Sequence, residues 1–143
     1  MAVDVTATTM IARPREEVAA YLRNPANDTS WIGGVRSARL LTPAPVAVGS
    51  EVERVAKFLG RRVEYVNEIE LTGDRLVMQS VRSPFPMRVT YGHRPAADGA
   101  TEVSVRVEGD AGRFYALLAP LLGVAVRRSI TRDLRNLRRV LEG

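Results

Sequence analysis

From Val3 to Ile11 apolar and polar residues alternate, with Val3, Val5, Ala7, Thr9 and Ile11 on one side, which is the two-residue period of a half-buried strand. The period then changes. Pro14 suits the first position of a helix, Glu16 and Glu17 complement its positive end, and Val18, Tyr21 and Leu22 form a short apolar stripe. Asn24-Pro25 closes that helix, because the residue before a proline avoids helical geometry. A second short helical turn is expected from Ala26 to Trp31, stopped by Gly33-Gly34. Antiparallel strand patterns follow over Val35 to Leu41, Glu51 to Leu59, Arg61 to Leu71, Arg75 to Val81, Met87 to Arg94 and Thr101 to Glu108. Gly60, Thr72-Gly73-Asp74 and Asp98-Gly99 supply hairpin turns between them, and the proline-rich Thr42 to Gly49 stretch reads as a longer surface loop.

The last segment, Gly112 to Glu142, reads as one long helix. In its first half Phe114, Tyr115, Leu117, Leu118, Leu121, Leu122, Val124 and Ala125 leave no polar face, so this part is expected to be buried on all sides. In its second half Val126, Ile130, Leu134, Leu137 and Leu141 form one stripe, with Arg128, Arg132, Arg135 and Arg139 about half a turn away. Pro120 interrupts the pattern, and with Gly123 nearby it predicts a kink. The whole reads as a helix half enclosed by a curved sheet.

A length of 143 residues with 45% hydrophobic content suits a single domain, 1–143, with one core. Arginine and glycine interrupt every apolar run before it reaches the ~18 residues of a membrane span. The first residues lack the basic start and apolar block of a secretory signal, so a cytoplasmic location is expected. The absence of cysteine excludes disulfides and thiolate chemistry, and a single histidine, His93, excludes His-rich metal sites. The net charge of +5 gathers on the C-terminal segment. No aromatic residues interleave with its arginines to stack bases, and no helix-turn-helix or zinc-finger pattern is present, so nucleic acid is not an expected partner. No phosphate-cradling glycine loop, dinucleotide fingerprint or HExxH motif occurs, and no cofactor is expected.

Three stretches carry a resemblance: Ile11-Ala12-Arg13-Pro14-Arg15-Glu16-Glu17-Val18 running on through Tyr21-Leu22 to Asn24-Pro25, then Trp31-Ile32-Gly33-Gly34-Val35, and finally Leu134 to Glu142. In this order and spacing the chain resembles the START-like (SRPBCC) superfamily, which includes polyketide cyclase/dehydrase-like and lipid-transport-like domains. The resemblance implies an α+β helix-grip fold, with a seven-stranded antiparallel sheet wrapped around a long C-terminal helix and two short helices between strands 1 and 2. It also implies a deep pocket between sheet and helix. The strand count read from periodicity agrees.

If such a pocket exists, side-chain alternation nominates its walls. Val63, Tyr65, Asn67 and Ile69 share one face of their strand; Leu76, Met78 and Ser80 share another; Met87, Val89, Tyr91 and His93 share a third. Ligand pockets are mostly apolar with a few placed polar groups. The candidate ligand-binding residues are therefore Trp31, Tyr65, Asn67, Met78, Ser80, Met87, Tyr91 and His93, with Leu118 and Leu122 from the apolar start of the helix. Each has a plain alternative as a packed core residue. His93, at a strand end before Arg94-Pro95, is expected on the rim, and Phe85, between Pro84 and Pro86, is either a lip over the pocket or a buried turn residue. No acidic partner is visible for His93, so no catalytic residue is assigned.

Three functions fit. The first is binding or carriage of a small hydrophobic or aromatic molecule, lipid- or polyketide-like. The second is an aromatase/cyclase-type enzyme, in which pocket shape folds a poly-β-ketone and a few polar groups polarise its carbonyls. The third is an interaction or accessory module that uses Arg128, Arg132, Arg135 and Arg139 on a membrane surface or an acidic protein.

Overall fold

The computed structural model describes residues 2–143, and in it the strand periodicities become β1 (Ala2–Ile11), β2 (Val35–Leu40), β3 (Glu51–Phe58), β4 (Arg61–Leu71), β5 (Arg75–Arg82), β6 (Met87–Pro95) and β7 (Thr101–Asp110). They form one antiparallel sheet in the order β1-β7-β6-β5-β4-β3-β2. β1 and β7 pair along their whole length, from Ala2 opposite Asp110 to Ile11 opposite Thr101. The register slips in β2 between Val35 and Ser37, and twice in the β4–β5 pairing, at Val66/Asn67 and again at Ile69/Leu71. Bulges of this kind bend the strand and strengthen its twist, and here they curl the sheet. Val66 and Asn67, consecutive in β4, are both buried, and β3 pairs with the two in unbroken register.

Between the edge strands β1 and β2 lie α1 (Arg15–Arg23), a 3₁₀ turn (Pro25–Asn27) and α2 (Asp28–Trp31). The Asn24 side chain accepts from the Ala26 amide and starts the 3₁₀ turn. Val18 and Leu22 bury the apolar face of α1, as their spacing predicts.

The long helix differs from its expected extent. α3 spans Leu122–Glu142, and residues 116–121 form a 3₁₀ turn instead of the helix's first half. Pro120 explains the break. It lacks an amide hydrogen, and its ring would clash with the carbonyl one turn back, costing an α-helix interior roughly 3 kcal/mol. All-round burial fails too: Leu117 is 97% exposed and Val124 68%. The second half behaves as its stripe predicts, with Ile130, Leu134 and Leu137 buried and Val126 and Leu141 packed beside them.

Polar bonds fix α3 against the crossing helices. The Asp133 carboxylate accepts from the Gly33 amide at 3.0 Å, the Asn136 amide donates to the Trp31 carbonyl at 3.3 Å, and the Glu142 carboxylate accepts from the Ala12 amide at 2.8 Å. Arg128, Arg132, Arg135 and Arg139 lie on the exposed side. No helix among the described residues is long and apolar enough to cross a membrane.

Candidate functional site

The curled sheet does not close fully on α3, and two adjoining hollows remain between them. The outer one, about 190 Å³, has an almost wholly apolar wall that includes Phe58, Val63, Phe85, Tyr115, Leu122 and Val126. Its aromatic members hold one another in tilted and edge-on contacts within the range favoured by ring quadrupoles. Phe58 lies 5.8 Å from Tyr115 and Phe85 5.4 Å from Phe114, centre to centre. The Tyr115 hydroxyl donates to the Phe58 carbonyl at 2.7 Å, tying the segment before α3 to the end of β3. Phe85, expected as a lip or a buried turn residue, lies in this wall and packs against Phe114 and Tyr115.

The inner hollow, about 180 Å³, shares Tyr65, Met87, Val107 and Ile130 with the outer one and adds Trp31, Arg54, Asn67, Met78, Tyr91 and Asp133. Its polar members come from several elements. Trp31 ends α2 and meets Tyr91 of β6 edge-on at 5.5 Å; Arg54 projects from β3, Asn67 from β4, and Asp133 from the buried stripe of α3. Behind this wall Arg54 Nε donates to the Asp28 carboxylate at 2.6 Å, with both side chains at most 6% exposed. Burial pushes the Asp28 carboxyl upward and Arg54 pulls it back. A guanidinium keeps its proton at every accessible pH, so Arg54 stays charged beside Asp28. Arg54 Nη1 also reaches the Met78 sulfur at 3.7 Å.

Burial raises the Tyr65 and Tyr91 phenols above their ordinary range, which leaves both as neutral hydroxyls. Burial likewise raises Asp133, offset in part by the Gly33 amide. Two polar atoms of this wall, the Trp31 indole nitrogen and the Asn67 side-chain oxygen, are buried with no partner among the described residues. Unpaired buried polar groups are costly and rare. One is a donor and the other an acceptor, and both line the same hollow as Arg54 and Tyr91. A carbonyl oxygen there can accept from the indole N–H, and a hydroxyl can also donate to Asn67. A wider groove of about 680 Å³ between α1 and the proline-rich loop lies outside the sheet-helix space and gathers no such groups.

Of the residues nominated from sequence, Trp31, Tyr65, Asn67, Met78, Met87, Tyr91 and Leu122 line the two hollows. Ser80, Leu118 and His93 do not. The Ser80 hydroxyl accepts from the Met87 amide across the β5–β6 hairpin, and Leu118 packs among the aromatic residues around Tyr115. Sequence reading missed the Asp28–Arg54 pair, because charged residues on a strand and a short helix give no sign of facing each other. It also passed over Asp133. The position of Asp133, one residue before Leu134 and three after Ile130 on the buried stripe, was the available signal.

His93 is not the rim residue expected. It is 3% exposed, under α1, because β6 runs on to Pro95 and Arg15 reaches over to donate to its carbonyl. Its Nδ1 has no partner among the described residues. Burial, together with the Arg15 charge, lowers its pKa below the ordinary histidine value. An unfolded chain therefore takes up the proton at a higher pH than the folded one. Stability contributed by neutral His93 is present above about pH 6.5 and is lost as pH falls toward the lowered folded value. Urea midpoints measured at neutral and mildly acidic pH should fall on acidification, and His93→Gln should flatten that slope.

A seven-stranded antiparallel sheet gripping a C-terminal helix over an apolar cavity defines a helix-grip protein. The sequence profile of the family described as polyketide cyclase/dehydrase and lipid transport matches residues 2–142, and the chain belongs to that family, within the START-like (SRPBCC) superfamily. Solved structures share the fold. A START superfamily protein from Mycobacterium smegmatis superposes with a TM-score of 0.82 at 11% identity, covering 97% of each chain. The ZhuI aromatase/cyclase from Streptomyces sp. R1128 gives 0.81 at 14% identity, covering 99% of this chain and 94% of that one. TTHA0849 from Thermus thermophilus gives 0.80 at 19% identity, covering 95% of this chain and 94% of that one. No curated protein matches the sequence.

Proposed function

We propose that the protein binds a small, largely apolar molecule bearing a carbonyl or hydroxyl oxygen, with its body in the outer hollow and its oxygen at the inner end. The observation that carries this reading is the pairing of an apolar hollow with an adjoining one where the Trp31 indole nitrogen and the Asn67 oxygen are buried without partners. An apolar cavity of about 150 Å³ is enough for a single benzene ring. Two adjoining hollows of comparable size suit a molecule of about two rings or a short folded chain.

Trp31 is the only tryptophan, so its emission reports on the inner hollow directly. Titration with 2-acetylnaphthalene and with 2-ethylnaphthalene, of matched shape, should quench it in both cases, with the ketone binding about tenfold tighter, or ~1.4 kcal/mol. Equal affinities would remove the oxygen from the proposal. Binding of neither compound, together with a clean apoprotein mass by native mass spectrometry, would remove the proposal itself.

A second reading, aromatase/cyclase-type chemistry, is favoured by one feature: a charged guanidinium and two neutral phenols at the same wall. Such donors polarise a carbonyl and hydrogen-bond the negative charge that develops on its oxygen. On this reading Tyr91→Phe retains binding of a poly-β-ketone and loses its turnover. A ketone that binds wild type and never reacts leaves the carrier reading alone.

A further inference from the structure

The outer end of the molecule carries a surface that the cavity does not explain. Leu117 is 97% exposed, Val124 68% and Leu121 58%, and with exposed Pro120 they run along the outer side of the 3₁₀ turn and the first turn of α3. A contiguous exposed group of large apolar side chains marks a contact site. A further leucine, Leu59, is 40% exposed in the β3–β4 turn at φ 50°. Positive φ disfavours leucine, and this position of a tight hairpin normally takes asparagine or aspartate. Neither solvent nor backbone geometry accounts for a leucine there. The turn packs against the same segment: the Arg61 side chain donates to the Phe114 carbonyl, and its guanidinium carbon lies 3.6 Å from the Phe114 ring centre.

Charge identifies what covers this surface. Residues 111–132 contain four arginines and no carboxylate. Arg113, Arg127, Arg128 and Arg132 are all exposed. Two copies of this face would oppose like charges, which penalises self-association. A bilayer with anionic headgroups offers negative charge at the level of the arginines and hydrocarbon beneath it, the combination that amphipathic membrane-surface segments use. We infer that this end of the protein docks on an anionic lipid surface, with Leu59, Leu117, Leu121 and Val124 entering the acyl boundary and Arg113 and Arg128 at the headgroups. The docking segment also carries Tyr115 and Leu122 of the outer hollow's wall, so the membrane would meet the cover of the cavity. The inference stands whether or not that cavity holds a ligand.

The chain has no cysteine. Leu117→Cys therefore takes a single environment-sensitive NBD label, and Val48→Cys, 64% exposed beyond the opposite end of β3, serves as the control. With vesicles of phosphatidylglycerol and phosphatidylcholine at physiological salt, the label at position 117 should shift to the blue while the label at 48 stays unchanged. Wild-type protein should sediment with these vesicles and not with pure phosphatidylcholine. Leu117→Glu combined with Leu121→Glu should weaken sedimentation about tenfold or more, with thermal unfolding unchanged because both side chains are exposed. Leu59→Asn should stabilise the turn and still weaken vesicle binding.

Absence of sedimentation with anionic vesicles overturns the inference. So do equal label shifts at both positions, which mean unspecific adsorption of a basic protein, and sedimentation that the glutamate pair leaves intact. A concentration-dependent dimer that the glutamate pair dissolves, in a protein that ignores vesicles, would assign the surface to self-association instead.

Discussion

Replacing Asp28 with alanine should destabilise the protein by about 3–5 kcal/mol, because it strands the buried Arg54 guanidinium without its ion-pair partner. For a chain of this size about 1 kcal/mol moves the thermal midpoint by roughly 3 °C, so a loss near ~10 °C or more is expected. The cost belongs to the unpaired charge and not to the pair itself. Burying two ions gains little over well-packed apolar residues. The double replacement Asp28→Leu with Arg54→Met should therefore recover most of the loss in urea unfolding. If the single change costs under about 1 kcal/mol, Arg54 must be reaching solvent, and the burial of the pair described above is wrong. If the double variant regains stability and loses its preference for the ketone over the hydrocarbon, the pair serves the ligand more than the fold.

Val107→Phe should abolish binding of aromatic ketones, weakening it about 100-fold or more, or ~2.7 kcal/mol. Val107 is common to both hollows, on β7 opposite Val5 and Val89. A ring placed there occupies the passage between the apolar body of the site and its polar end. Overpacking a filled core costs about 1–3 kcal/mol, and here the extra atoms enter open space, so the stability change should sit at or below the low end. Tryptophan emission and urea unfolding measured on the same sample separate the two effects. Unchanged affinity would place the ligand elsewhere, and the wider groove beside α1 would be the next place to look.

The sheet and the short helices were legible because their signals are local. Alternation, hairpin glycines and the Pro14-Glu16-Glu17 helix start each depend on a few neighbouring residues, and all seven strands lie where these signals put them. The second half of α3 was legible for the same reason. Its first half was not: apolar content alone suggested burial, whereas Pro120 diverted the chain into a 3₁₀ turn whose leucines Leu117 and Leu121 face outward. In the cavity, alternation found most of the lining residues but gave no reason to single out Arg54. It also could not see pairs that meet only through the fold. Asp28 and Arg54 are 26 residues apart, and Gly33 and Asp133 are 100 apart.

The pairing of β1 with β7 bears on how the sheet is made. Of the seven strands, the one that leaves the ribosome first has its hydrogen-bonding partner in the one that leaves last, with Ala2 set against Asp110. Closing so long a loop comes late, and proteins dominated by distant pairings fold slowly. Until Thr101–Asp110 has been synthesised, β1 has no strand partner on either side and carries the alternating apolar face of Val3, Val5 and Ala7, the kind of surface that recruits other nascent chains. The sheet is therefore completed only after every strand has been translated.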